Sequence, residues 1–196
     1  MRTDILAASR VAGFSDLTRA GITIGDSAAP IKVLVFSDLE CPVCRRFHQR
    51  LMEEEARFGK EVAVVFVHFP LAMHRFARQA AQAAECAERQ GRFGEFVNQV
   101  YENQDSIGLK SWNRFAHDAG IDDTISFGRC ASSRVPDPRI QRGVDIGTKL
   151  HVEGTPTVII NGWRFNNPPF DSLASVFRNV IRGQPPLGTA AHVSGY

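Results

Sequence analysis

Long apolar runs are missing from this 196-residue chain, and nothing approaches the roughly 20 apolar residues of a membrane-spanning helix. The first 23 residues lack the apolar centre of a secretion signal, because Asp4, Arg10, Asp16 and Arg19 interrupt them. An excess of either charge is missing too. The net charge is +2, and no basic stripe alternates with aromatics, so nucleic acid and anionic membranes are not indicated as partners. His68, His74, His117 and His151 show no metal-ligand spacing, and there are no internal repeats. Four cysteines are too few to staple a chain of this size, so each needs its own reading.

What is present is ordinary for a globular domain: 43% hydrophobic and 22% charged residues. Residues 1–29 read as an arm that ends in turn-rich Gly25-Asp26-Ser27-Ala28-Ala29-Pro30. Residues 31–36 read as a buried strand, 42–58 as a helix and 61–67 as a second strand. Together these make a βαβ unit with parallel strands. Residues 73–151 read as helical, with segments at about 73–90, 92–104, 111–119, 122–132 and 138–151. Residues 157–160 then read as a strand, Asn161-Gly162 as a hairpin turn, 163–165 as its partner and 170–182 as an amphipathic helix. The tail 184–196 is expected to be flexible. This order predicts one α/β domain over 30–183, whose βαβ and ββα halves flank a helical insertion at about 73–151.

Chemistry concentrates at Cys41-Pro42-Val43-Cys44, between the first strand and its helix. Pro42 falls in the first turn, where a missing N–H costs nothing. Cys41 lies at the helix N-terminus, where free N–H groups and the dipole favour a thiolate, and Arg45 and Arg46 add positive charge. Cys44 shares an apolar face with Phe47, Leu51 and Phe58, so it is expected to be shielded while Cys41 stays open. That asymmetry suits a nucleophile and a resolving thiol. The competing reading is a zinc-binding interaction module that uses Cys41, Cys44, Cys86 and Cys130. The strand-to-helix context favours redox chemistry. Pro156, in Gly154-Thr155-Pro156-Thr157 just before the third strand, reads by base rate as a trans turn proline.

The stretches Gly25-Asp26, Phe36-Ser37-Asp38-Leu39-Glu40-Cys41-Pro42-Val43-Cys44, Phe69-Pro70-Leu71 and Gly154-Thr155-Pro156-Thr157 with Asn161-Gly162 resemble the DsbA-like branch of the thioredoxin superfamily. The resemblance covers about residues 22–182. It implies a thioredoxin-like fold and exchange of disulfides with protein or peptide thiols. Its redox centre is Cys41–Cys44, with no other cofactor, and a redox partner is required. Cys41 maps to the nucleophile and Cys44 to the resolving thiol. Pro156 maps to a cis proline packed against them, and Thr155 to a residue offering backbone hydrogen bonds to an extended substrate. Val43 stands where the best-known oxidases of the branch carry histidine, which implies a potential below theirs. Cys44 counts against a third reading, a glutathione-dependent isomerase or transferase on this scaffold. Relatives are mostly exported. With a targeting segment removed, a periplasmic or other extracytoplasmic location is expected, and with Met1 as the native start, a cytoplasmic one. In an oxidising compartment Cys86 and Cys130 are expected to pair as a structural disulfide, whereas in the cytosol two buried thiols are expected.

Two further residues have double readings. Glu40 adjoins the nucleophile as a proton relay or as a solvated loop carboxylate, and the second is preferred. His48 follows Cys44 by one turn, either tuning it or simply packing, and packing is preferred.

Overall fold

The structure, a computed structural model, describes residues 8–186. Its centre is β3 (Ile31–Ser37), an apolar strand buried on both faces and paired in parallel with β4 (Val62–His68). Between them runs α2 (Pro42–Phe58), which makes the expected βαβ unit. Past the helical insertion, β5 (Thr157–Ile160) returns antiparallel to β3 and turns into β6 (Trp163–Phe165). Asn161 and Gly162 both have positive φ, 45° and 83°, as the tight hairpin turn requires. The Asn161 side chain also ties this turn to the sheet: its Oδ1 accepts from Lys32 N–H at 2.8 Å, and its Nδ2 donates to Pro30 O at 2.9 Å.

The sequence reading of residues 1–29 as an arm misses three elements. These are β1 (Ala8–Arg10), α1 (Phe14–Thr18) and β2 (Ile22–Gly25). The two strands close opposite edges of a six-stranded sheet of order β1-β6-β5-β3-β4-β2. Both are short, at three and four residues, too short for alternation to stand out, and their partners are distant in sequence.

Alternation along β3 sorts the core. Val33 and Val35 face Phe47 and Leu51 of α2 and Phe177 of α8 (Leu173–Ile181). Leu34 and Phe36 face the other layer, which is completed by α1 and α7 (Pro138–Lys149). Gly143 lets α7 lie directly on the sheet, because a Cβ there would stand 2.3 Å from His68 O. The insertion holds α3 (Ala77–Glu88), α4 (Phe93–Glu102), α5 (Trp112–Asp118), α6 (Thr124–Ala131) and α7. The helix expected from residue 73 starts only at Ala77, because the preceding loop is tied to the site described next. The helix expected over 170–182 is shorter at both ends. Of the expected tail, residues 187–196 lie outside the described residues.

Candidate active site

The β3–α2 junction places Cys41 at the N-cap of α2 with Pro42 in its first turn. The Cys44 N–H donates to Cys41 Sγ at 3.5 Å, and Cys41 Sγ lies 3.4 Å from Thr155 O, which accepts from the thiol when Cys41 is protonated. The Thr155–Pro156 peptide bond is cis and precedes β5, whose Thr157 pairs with Phe36 of β3, so this loop and Cys41 lie at the same end of the sheet. The Thr155 hydroxyl is buried without a hydrogen-bond partner among the described residues, which leaves it free to turn toward the sulfur.

The two thiols differ in character. The Cys44 thiol, donating to the Cys41 sulfur, is the strongest influence on Cys41. The Thr155 side chain and the N–H groups of Cys44 and Val43 add to it. Together they outweigh burial and bring Cys41 down to about 5. Cys44 goes the other way: burial first, then the Cys41 sulfur, pushes its thiol far above the ordinary range. Exposure does not separate them as the sequence suggests. Cys41 is 5% and Cys44 1% accessible, because the Thr155–Pro156 loop covers the first sulfur as well.

Val43 offers no side-chain donor, and its backbone N–H contributes instead. Arg45 is engaged by the insertion instead of the thiolate: it pairs with Asp105 and donates to Glu102 O, each at 3.3 Å. Glu40 is half-buried and engaged, since its Oε2 accepts from Phe76 N–H at 2.6 Å.

Of the groups that hold the junction, Ser37, Asp38 and Leu71 lie in the stretches that carry the family resemblance, whereas His74, Tyr101 and Gln104 have no sequence signature. Asp38 is 2% accessible; its Oδ1 accepts from Glu40 N–H, and its Oδ2 accepts from Leu71 N–H and is paired with His74 Nδ1 at 2.7 Å. Gln104 donates to Leu39 O and Cys41 O at 2.9 and 3.1 Å. Tyr101, fully buried, shares a hydrogen bond with Ser37 Oγ and donates to Asp38 O.

Cys86 on α3 and Cys130 on α6 form a disulfide with a Cα separation of 5.8 Å, within the usual span. Two of the four ligands of the zinc alternative are thereby consumed.

A six-stranded sheet with a Cys-x-x-Cys helix start opposite a cis proline defines the class, and comparison with known proteins agrees. A family model described as "Thioredoxin" matches residues 17–177, and the chain belongs to that family. The chain is 30% identical over 172 residues to "Probable disulfide bond formation protein D" of Bacillus anthracis, covering 82% of this chain and 78% of that protein. It is 33% identical over 163 residues to "Na(+)/H(+) antiporter NhaA 1" of Mycolicibacterium gilvum (strain PYR-GCK). That match covers 82% of this chain but spans only 26% of the relative's length. The structure of BdbD from Bacillus subtilis in its oxidised form superimposes with a TM-score of 0.75 at 17% identity, over 92% of this chain and 100% of that one. Within the thioredoxin family, the chain is thus similar to a disulfide bond formation protein of Bacillus over most of the length of both. Among the described residues, no helix is long and apolar enough to cross a membrane.

Proposed function

We propose that this protein exchanges disulfides with protein or peptide thiols through Cys41 and Cys44, with Cys41 as the nucleophile and Cys44 as the resolving thiol. One observation carries the reading: two thiols one helical turn apart are displaced in opposite directions, Cys41 down to about 5 and Cys44 upward. At neutral pH only Cys41 is an anion, and the thiolate is the reactive form. In the dithiol state Cys41 attacks a substrate disulfide, one substrate thiolate leaves, and a mixed disulfide forms. Cys44 then attacks Cys41, the second substrate thiolate leaves, and two electrons have passed to the substrate. The reverse sequence oxidises a substrate dithiol.

The redox equivalents reside in the pair itself, so no cofactor is required, and a redox partner must reset it. Thr155 and Pro156 border Cys41, where an extended substrate would lie against the backbone of Thr155. The "disulfide bond formation" in the Bacillus relative's name supports this reading.

The test is trapping. Cys44→Ser protein mixed with a peptide disulfide should accumulate a stable adduct at Cys41, mapped by mass spectrometry. Cys41→Ser protein should form almost none in the same time. Equal labelling of Cys44 in the second variant would overturn the assignment of roles.

A further inference from the structure

Resolution requires a proton to leave Cys44, and the mechanism so far gives it no destination. Cys44 is 1% accessible, so bulk water does not collect that proton directly. Beneath it lies a cavity of about 10 Å³, at the lower limit for one water molecule. Ser37, Cys44 and His48 all line this cavity. His48 follows Cys44 by four residues on α2, so the two side chains are neighbours on one helix face. On its other side, His48 lines a second, larger pocket of about 380 Å³ between α2 and α4, with Asn98, Glu53 and Glu102. His48 is thus the one ionisable residue common to the inner cavity and the outer pocket.

We infer that His48 is the proton relay of the resolving thiol, carrying the proton between Cys44 and the outer pocket. The inference rests on the exchange reaction proposed above and adds a residue to it. The ring is held for this task. Its Nε2 lies 2.6 Å from Asn98 Oδ1, an oxygen that only accepts, so Nε2 carries the hydrogen and Nδ1 keeps a free lone pair. The ring packs at a tilt against Tyr101, with centroids 4.8 Å apart, and Tyr101 is itself anchored to Ser37. Burial lowers the His48 pKa, so the imidazole is a neutral base at pH 7. The titratable groups facing it are Cys44 on its own helix and Tyr101 on α4, with Glu53 and Glu102 at the outer pocket, while β3 presents only the Ser37 hydroxyl.

The step balances as follows. In the mixed disulfide, the Cys44 sulfur attacks the Cys41 sulfur. The Cys41–Cys44 bond forms, the bond from Cys41 to the substrate sulfur breaks, and that sulfur leaves with the electron pair. The Cys44 proton passes to Nδ1 of His48, and the imidazolium returns a proton to water in the outer pocket. In the reverse direction His48 reprotonates Cys44 as it leaves as a thiolate.

The reduced protein is mixed with a chromogenic aromatic disulfide and followed by stopped flow. The first coloured thiolate reports attack by Cys41, and the second reports resolution by Cys44. In the wild type the second phase should be nearly independent of pH between about 7 and 9, because neutral His48 supplies the base throughout. His48→Ala should leave the first phase unchanged and slow the second about a hundredfold at neutral pH. The residual rate should then climb about tenfold per pH unit, following the Cys44 thiolate. Added imidazole should restore it through the outer pocket. Should His48→Ala fail to fold, Asn98→Leu keeps the imidazole but releases its orientation, and should slow only the second phase. A second phase within about threefold of wild type in the folded variant, with unchanged pH dependence, would overturn the relay. Absence of the first phase in the wild type would instead remove the exchange reading on which the relay rests.

Discussion

The low pKa of Cys41 makes the stability of the reduced protein depend on pH in a defined window. The perturbation is acidification of protein in which Cys41–Cys44 is reduced and Cys86–Cys130 is intact. The folded-state value is about 5 against 9.0 for an unperturbed thiol. Between those values the native state holds no proton on Cys41 while the unfolded state holds one, so stability rises with pH. The contribution is complete above the unfolded value and disappears as pH falls through the folded one. Each unit is worth about 1.4 kcal/mol, so going from pH 7 to pH 5 removes about 2 kcal/mol. For a chain of this length that is a fall of roughly 5 °C in Tm. The oxidised protein has no Cys41 thiol to titrate and corrects for every other group. Its Tm is therefore subtracted at each pH, while the ultraviolet absorbance of the thiolate reports ionisation directly. A reduced-minus-oxidised difference that stays flat across this window, or a thiolate midpoint near that of a free thiol, would refute the account of the site.

Three other outcomes are expected. The potential of the Cys41–Cys44 pair should fall roughly between −270 and −120 mV, because backbone and Thr155 donors favour the reduced form but no side-chain donor comes from Val43; equilibration with glutathione buffers measures it. A Cys41→Ser/Cys44→Ser protein matured under oxidising conditions should show no free thiol when denatured without reductant. Further replacement of Cys86 and Cys130 by Ser opens a loop whose ends are 44 residues apart, and should cost about 4 kcal/mol in chemical denaturation. Gly143→Ala should destabilise the fold by about 2 kcal/mol or more, since the added methyl meets the His68 carbonyl; unchanged denaturation would show that α7 can shift away.

The redox pair was legible because its chemistry is local: a Cys-x-x-Cys between an apolar strand and a helix declares itself within ten residues. The Asn161-Gly162 hairpin was legible for the same reason. What the sequence hid depends on distant partners. Ile22–Gly25 becomes a strand by pairing with β4, and nothing inside those four residues compels it. Met73–Phe76 has helix-forming composition, yet Asp38 and Glu40 capture the backbone of Leu71 and Phe76 and hold the segment as a loop. The charges of Arg45 and Glu40 were visible, but the groups that engage them come from across the fold. Gln104 and Asn98 are unremarkable polar residues in sequence and matter only through the carbonyl and the ring that they hold.

The two edge strands also fix an order of assembly. Ile22 of β2 needs Phe66, which a ribosome delivers only 44 residues later, whereas Ala8 of β1 needs Phe165, much further along the chain. Among the described strands of this sheet, the first to be synthesised is therefore the last that can be seated. A nascent chain keeps the β6 side of its sheet unmade until nearly the whole domain has emerged, and every intermediate before that point carries β1 as an unpaired ribbon. Because β1 is only three residues long and mostly exposed, that wait offers little to a neighbouring chain seeking a strand to pair with.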